Sequence, residues 1–287
     1  MIATSTCSRR DVFAVRKTSI DGWHSSRRRR LHVDLWEQSA IAQQAMFDSR
    51  TTADLSELED EALLDTAQRQ TARYFWEGAH PVNGLARDRQ KTTGDPDNDL
   101  VAIGGSGFGI MAIIVAVSRG WIDRAAALSR LHGMLDFLER VPRYHGMFSH
   151  FVDGRTGQTI PFRRKDDGAD LVETTFLFQG FICAREYFAS STSEELRLHE
   201  RINALLRVAE WEWFTRGGKQ LYWHWSPNHG WAMNSPIEGW NECLLSFVLA
   251  TGSSSHAIDP EIYHEGFAAE TAFEMAASIT ASRCPSA

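Results

Sequence analysis

Two acidic runs carry the residue types and spacing that chemistry needs. In Asp166-Asp167-Gly168-Ala169-Asp170-Leu171-Val172-Glu173-Thr174-Thr175, Asp166, Asp170 and Glu173 fall at i, i+4 and i+7, one face of the helix that the pattern predicts there. Three acids on one face repel, and a purely structural helix gains by spreading them. Acids in a first turn also offset the helix dipole, and Asp167 can cap this one. The second run, Glu238-Gly239-Trp240-Asn241-Glu242, heads an apolar helix with Glu238 and Glu242 on one face. A carboxyl pressed against Trp240 and the following Leu244, Leu245, Phe247 and Val248 would hold its proton more tightly, as a general acid must.

Between these runs lies Leu221-Tyr222-Trp223-His224-Trp225-Ser226-Pro227-Asn228-His229-Gly230-Trp231. Aromatic and imidazole rings beside Asn and Ser in a loop form a surface that stacks on sugar rings, although one or two of the tryptophans belong in a core. Upstream, Tyr74-Phe75-Trp76 precedes Gly84-Leu85-Ala86-Arg87-Asp88-Arg89. Arg87 and Arg89 beside Asp88 are either a surface ion pair worth under about 1 kcal/mol or, if buried near the acids, groups that orient carboxylates and bind hydroxyls.

Two metal patterns fail. Asp95, Asp97 and Asp99 alternate as in a calcium loop, but Leu100 stands where that loop needs Gly and Ser106 where it needs Glu. Asp166-Asp167-x-x-Asp170 matches the magnesium motif of terpene cyclases, yet the second motif of that class is missing, which leaves a terpene cyclase-like helical protein as a weak alternative. Cys7, Cys183, Cys243 and Cys284 lie too far apart for a thiolate zinc site or a disulfide scaffold. No metal or cofactor is expected.

The elements that would hold these residues read as helices, from apolar recurrence over residues 54–79, 108–118, 124–140, 169–187, 193–214 and 237–250. Long loops at 81–107, 146–165 and 215–235 separate them, with short hairpin pieces at 147–152 and 220–225. The chain reads as all-α, a helical toroid or bundle with elaborate connections.

With 37 acids against 30 bases in 287 residues and a net charge of −7, nucleic acid is not the expected partner. No apolar run reaches the roughly 20 residues of a membrane span. Residues 1–50 read as a poorly patterned leader, whose first 30 residues hold eight Lys/Arg and only Asp11 and Asp21. It has no signal-peptide core, so a cytoplasmic location is expected if the start is native. Residues 268–287 read as an irregular tail, with the domain at 51–267.

In this order, Tyr74-Phe75-Trp76, Ala79-His80-Pro81, Gly84 to Arg89, Gly107-Phe108-Gly109, Arg119-Gly120-Trp121-Ile122, Asp170 to Thr174, and Gly239-Trp240-Asn241-Glu242 with Ser255-His256 resemble the glycoamylase-like helical-toroid proteins that include bacterial endo-β-1,2-glucanases. The transglycosylase domain of cyclic β-1,2-glucan synthases is a more distant likeness. The resemblance implies an (α/α)6 barrel and endo-hydrolysis of β-1,2-glucan with inversion and without a metal. It implies Glu242 as general acid, with its partner among Asp166, Asp170 and Glu173. Arg87, Asp88, Arg89, Trp223, His224, Trp225, Trp231, Trp240 and Asn241 are the substrate-binding candidates. Such a barrel has twelve helices and the pattern here supplies about half, so an incomplete toroid is expected, and a non-catalytic glucan-binding remnant is the alternative function. Such glucanases are usually exported.

Overall fold

The structure, a computed structural model, describes residues 58–89, 99–189 and 192–269. The expected leader at 1–50, Asp95 and Asp97 of the rejected calcium loop, and all but the first two residues of the expected tail lie outside them.

Six α-helices are described: α1 (Asp60–Trp76), α2 (Ile103–Ser118), α3 (Arg124–Leu138), α4 (Leu171–Tyr187), α5 (Ser193–Arg207) and α6 (Leu244–Thr251). They form two layers. α2 packs against α4 and α4 against α6, while α3 packs against α5 outside them. Sequence explains the division. α2 is apolar nearly all round, with Ile103, Ile110, Ile113 and Ala116 buried, whereas α5 buries the stripe Leu198, Ile202 and Leu205 and is capped by Thr192, whose hydroxyl accepts from Glu195 N–H. The all-α expectation therefore holds, and the strands are short.

Those strands gather at the N-terminal ends of the inner helices. β1 (Leu100–Ala102), β2 (Phe151–Asp153) and β3 (Thr159–Ile160) make one antiparallel sheet; β4 (Ala169–Asp170) and β5 (His224–Trp225) make a two-stranded ribbon. The main chain then ties strand to helix. Ile103 N–H donates to His150 O at 3.1 Å, and Leu171 N–H donates to Trp223 O at 2.9 Å.

Several boundaries differ from the sequence reading, and three of them show their cause. The run 193–214 ends as an α-helix at Arg207 and resumes as a 3-10 turn, Trp211–Thr215. Glu210 N–H is drawn to His145 O at 3.1 Å, and Gly146 lies so close to Val208 that its Cβ would overlap the Val208 carbonyl oxygen. The last helix starts at Leu244 rather than 237, because Asn241 closes a turn ahead of it. α2 begins at Ile103, five residues earlier than the apolar run suggested, through Gly104, Gly105 and Gly107.

Those glycines mark the tightest approach in the core. A Cβ on Gly107 would overlap the Phe176 carbonyl oxygen, and one on Gly180 would overlap the Gly107 carbonyl oxygen, so α2 and α4 touch backbone to backbone. We therefore expect Gly107→Ala to lower stability by about 2–3 kcal/mol, in the range of core overpacking. Gly133→Ala on α3, where an added methyl meets nothing within 4 Å, should raise stability by about 0.5–1 kcal/mol through helix propensity. Urea midpoints of the two variants check the contrast.

Candidate active site

The acid cluster is assembled where β4 runs into α4. Asp170 ends the strand and caps the helix: its Oδ1 accepts from Val172 N–H at 3.1 Å, Glu173 N–H at 2.9 Å and Trp223 Nε1–H at 3.1 Å. Its Oδ2 lies 2.9 Å from His150 Nδ1. The carboxyl is buried and met by four partners, which makes it a hub that fixes a helix end, an indole and an imidazole at once.

The expected single helix face does not form. Asp166 closes a turn with Arg163, Asp170 ends the strand β4, and only Glu173 lies within α4, so the three acids fall in three different backbone conformations. Asp167 is not the cap. It turns away to accept from the Ser226 hydroxyl and from Asn228 Nδ2 at 2.6 Å, and these contacts hold its carboxyl below the usual range although burial acts the other way.

Glu173 reaches across the seam between the inner helices. Its Oε2 accepts from Gly104 N–H at 2.9 Å, at the positive end of α2. A Cβ on Gly104 would sit 2.5 Å from that oxygen, so glycine is what lets the carboxyl in. Burial raises the proton affinity of Glu173, with the charges of Asp170 and Asp88 adding to it; His150 and the Gly104 amide act in the opposite sense. For His150 burial works against the proton, but the bond to Asp170 and the charges of Asp170, Glu173 and Asp166 prevail and raise its pKa. Phe151 and Phe162 flank this imidazole, each ring centroid 4.4 Å away. His150, Phe162 and Gly104 were not singled out from the sequence. The only available signals were a histidine inside a strand-like aromatic piece and glycines just ahead of an apolar run.

His224 is 3% exposed. Its Nε2 lies 3.0 Å from Asp166 Oδ1, an ion-pair distance without hydrogen-bond angles, and its Nδ1 has no hydrogen-bond partner among the described residues. Such a buried imidazole has a bond left to give to a ligand.

The remaining expected residues divide. Trp223 joins the cluster through Asp170. Asp88 contributes to the field at Glu173, and its Oδ2 accepts from Arg89 Nε at 2.6 Å. Arg87 is buried as one reading required, but its guanidinium donates to the carbonyls of Gly78 at 2.8 Å and Ala79 at 3.0 Å, fastening the loop to the end of α1. Trp225 and Trp231 are grouped with Trp213 rather than with the acids.

At the head of α6, Asn241 turns back on the main chain, its Oδ1 accepting from Cys243 N–H at 2.9 Å. Glu242 is exposed and stands before the helix, so the expected partial burial is absent, and Trp240 is 67% exposed beside it. Cys243 links this segment to the cluster: burial pushes its thiol up to about 12, with the charges of Glu242 and Asp170 contributing. The arrangement offers a half-buried carboxyl with raised proton affinity, a saturated carboxylate hub, an open carboxyl and exposed indole surface. That is equipment for acid–base chemistry on a polyhydroxylated substrate.

No family model matches the chain. A curated relative from Parabacteroides distasonis, an exo β-1,2-glucooligosaccharide sophorohydrolase acting at the non-reducing end, is 42% identical over 227 residues, 78% of this chain and 31% of the relative. The solved endo-β-1,2-glucanase from Chitinophaga pinensis, in complex with sophorotriose and glucose, is 44% identical, with a TM-score of 0.69 over 74% of this chain and 51% of that one. A β-1,2-glucanase structure from Parabacteroides distasonis gives 42% identity and a TM-score of 0.72 over 80% of this chain and 33% of that one. The chain thus spans about a third to about half the length of these relatives. Within that span, its sequence and two-layered helical fold make it a homologue of the β-1,2-glucan hydrolases of the glycoamylase-like (α/α)6 type.

Proposed function

We propose that this chain carries the acid cluster of a glycoside hydrolase that cleaves β-1,2-glucan internally. The observation that carries the reading is the Glu173 carboxyl, half-buried against the α2 amino end beside Asp170 and His150. A glycosidic bond breaks when one carboxyl protonates the leaving oxygen and another helps water or the ring carbon react. The sequence likeness supports Glu242 as the general acid. In the free protein it is open to water, so the desolvation that would hold its proton is supplied by a glucose ring laid over Trp240. Asp170 acts as a positioning residue, since its two oxygens are already engaged. Asp166 and Glu173 are the carboxyls left to work opposite Glu242, and His224, Trp223 and Asp88 bind hydroxyls around them.

A second reading exchanges the roles. Its support is that burial raises the proton affinity of Glu173, whereas Glu242 is exposed. The two separate by substrate. Against linear β-1,2-glucan, Glu242→Gln and Glu173→Gln should each lower turnover by roughly 10²–10⁴ with folding retained. Aryl β-sophorosides with an acidic phenol need no proton on leaving, so they should restore much of the rate to Glu242→Gln alone; rescue of Glu173→Gln instead would establish the second reading. Calorimetric binding of glucan with no products from the unaltered chain would replace both with a non-catalytic glucan-binding role.

Stability gives an independent check on Glu173. A carboxyl whose folded pKa lies above its unfolded value favours the folded state fully below the unfolded pKa, about 4.3, and this contribution is lost as pH rises through the folded value. Glu173→Gln should therefore melt above the unaltered protein at neutral pH, and the gap should close on acidification through the raised pKa toward about 4. Thermal melts across that range measure it; a gap independent of pH would mean that Glu173 is not strained by its burial.

A further inference from the structure

β5 presents its two side chains to opposite sides of the ribbon, as a strand must. His224 meets Asp166, while Trp225 meets His145 edge-on at 4.8 Å and Trp213 at 6.2 Å. On the Trp225 side lies a groove of about 500 Å³ lined by Glu210, Glu212, Trp213, Arg216, Gly217 and Trp231. We infer that this groove is a second saccharide-binding site, separate from the acid cluster, that holds a neutral glucan chain against Trp213.

The platform is preorganised. Trp213 is 40% exposed, yet its ring is stacked on His145 with centroids 3.8 Å apart and planes 12° apart. His145 is itself held by Glu210, Nδ1 to Oε2 at 2.9 Å. Trp231 stands 6.3 Å from Trp213 at a 30° tilt and continues the aromatic floor. Arg216 lies over Tyr222 at 4.5 Å and over Trp231 at 5.4 Å, and donates to Asn234 Oδ1 at 2.8 Å. Its backbone is in the left-handed region (φ 54°), a conformation that a non-glycine residue keeps only where its surroundings impose it. An exposed indole fixed in this way can receive a ligand without the entropy loss of ordering a free side chain.

The rim decides the ligand class. Glu210 and Glu212 are opposed by Arg216, His145 and His256, with His256 Nδ1 at 2.7 Å from Glu212 Oε1. A rim that mixes two carboxylates, a guanidinium and two imidazoles has no block of like charge to select an anion or a cation. Together they offer the paired acceptors and donors that adjacent sugar hydroxyls use, beside an aromatic face for the C–H side of the ring. The proposed glucan-cleaving role enters only in the choice of probe.

The test is gel retardation of the folded chain by linear β-1,2-glucan, scored against a second neutral β-glucan. Retardation should persist in Glu173→Gln, and its apparent affinity should fall roughly three- to tenfold in Trp213→Ala, the scale of one aromatic contact. Trp213→Phe, which keeps a ring, should recover most of it. Glu212→Ala, an exposed change that supplies a variant independent of Trp213 packing, should weaken binding in the same direction. Unchanged retardation in both Trp213→Ala and Glu212→Ala overturns the proposal, as does failure of the unaltered chain to be retarded by either glucan. Trp213-dependent retardation without any cleavage would defeat the catalytic reading and leave this site standing.

Discussion

The structure hangs on the backbone contact between α2 and α4. Side chains at Gly107 and Gly180 would force these inner helices apart, and with that separation the Glu173 carboxyl would lose the Gly104 amide it reaches across the seam. Close packing here decides more than core density. It sets how far a side chain in the first turn of one helix must travel to meet the positive end of the next, and so whether a buried acid has a partner at all.

Around that contact the polar groups are arranged as a hierarchy. Asp170 is saturated by donors from α4, Trp223 and His150, whereas Glu173 has one backbone donor and a burial penalty. His224 has an imidazole nitrogen without a partner among the described residues. The satisfied group holds the frame, and the under-satisfied ones keep hydrogen-bonding capacity that the described residues do not use. Burying groups in this state is unfavourable for the free protein, a familiar tension between folding and function.

Much of this was legible in the residue order. Apolar periodicity located all six α-helices among the described residues but not the short helical turn Tyr263–Phe267, because apolar packing is a local signal only where it repeats several times within an element. The acidic run and the aromatic loop were also visible as chemistry. Their roles were less so. Asp166, Asp170 and Glu173 counted along one helix share a face, but Asp166 lies in a turn with Arg163 and the β4–β5 pairing keeps Asp170 extended, a pairing that depends on residues more than 50 positions away. The same loop hid the division of its tryptophans, since Trp223 stands at a bend just ahead of β5 and bonds Asp170, whereas Trp225 lies within the strand and meets His145 and Trp213. Glu242 looked buried because its neighbours in sequence are apolar, yet a turn closed by Asn241 leaves it outside the helix, which itself buries Phe247 but not Val248. His150 and Gly104 matter only through contacts made at long range, and nothing local announces them.

The two-residue register of β5 also limits how this chain can drift during evolution. A strand slipped by one position exchanges its faces completely. One residue gained just ahead of Trp223 would bring an indole against Asp166 and an imidazole against His145 and Trp213, and one lost there would bring an indole and the Ser226 hydroxyl to the same two places. Both environments would be spoiled by a single event, although the segment is formally a connection, where insertions and deletions are ordinarily absorbed. The Leu221–Ser226 stretch should accordingly hold its length more strictly than the loops at either end of it.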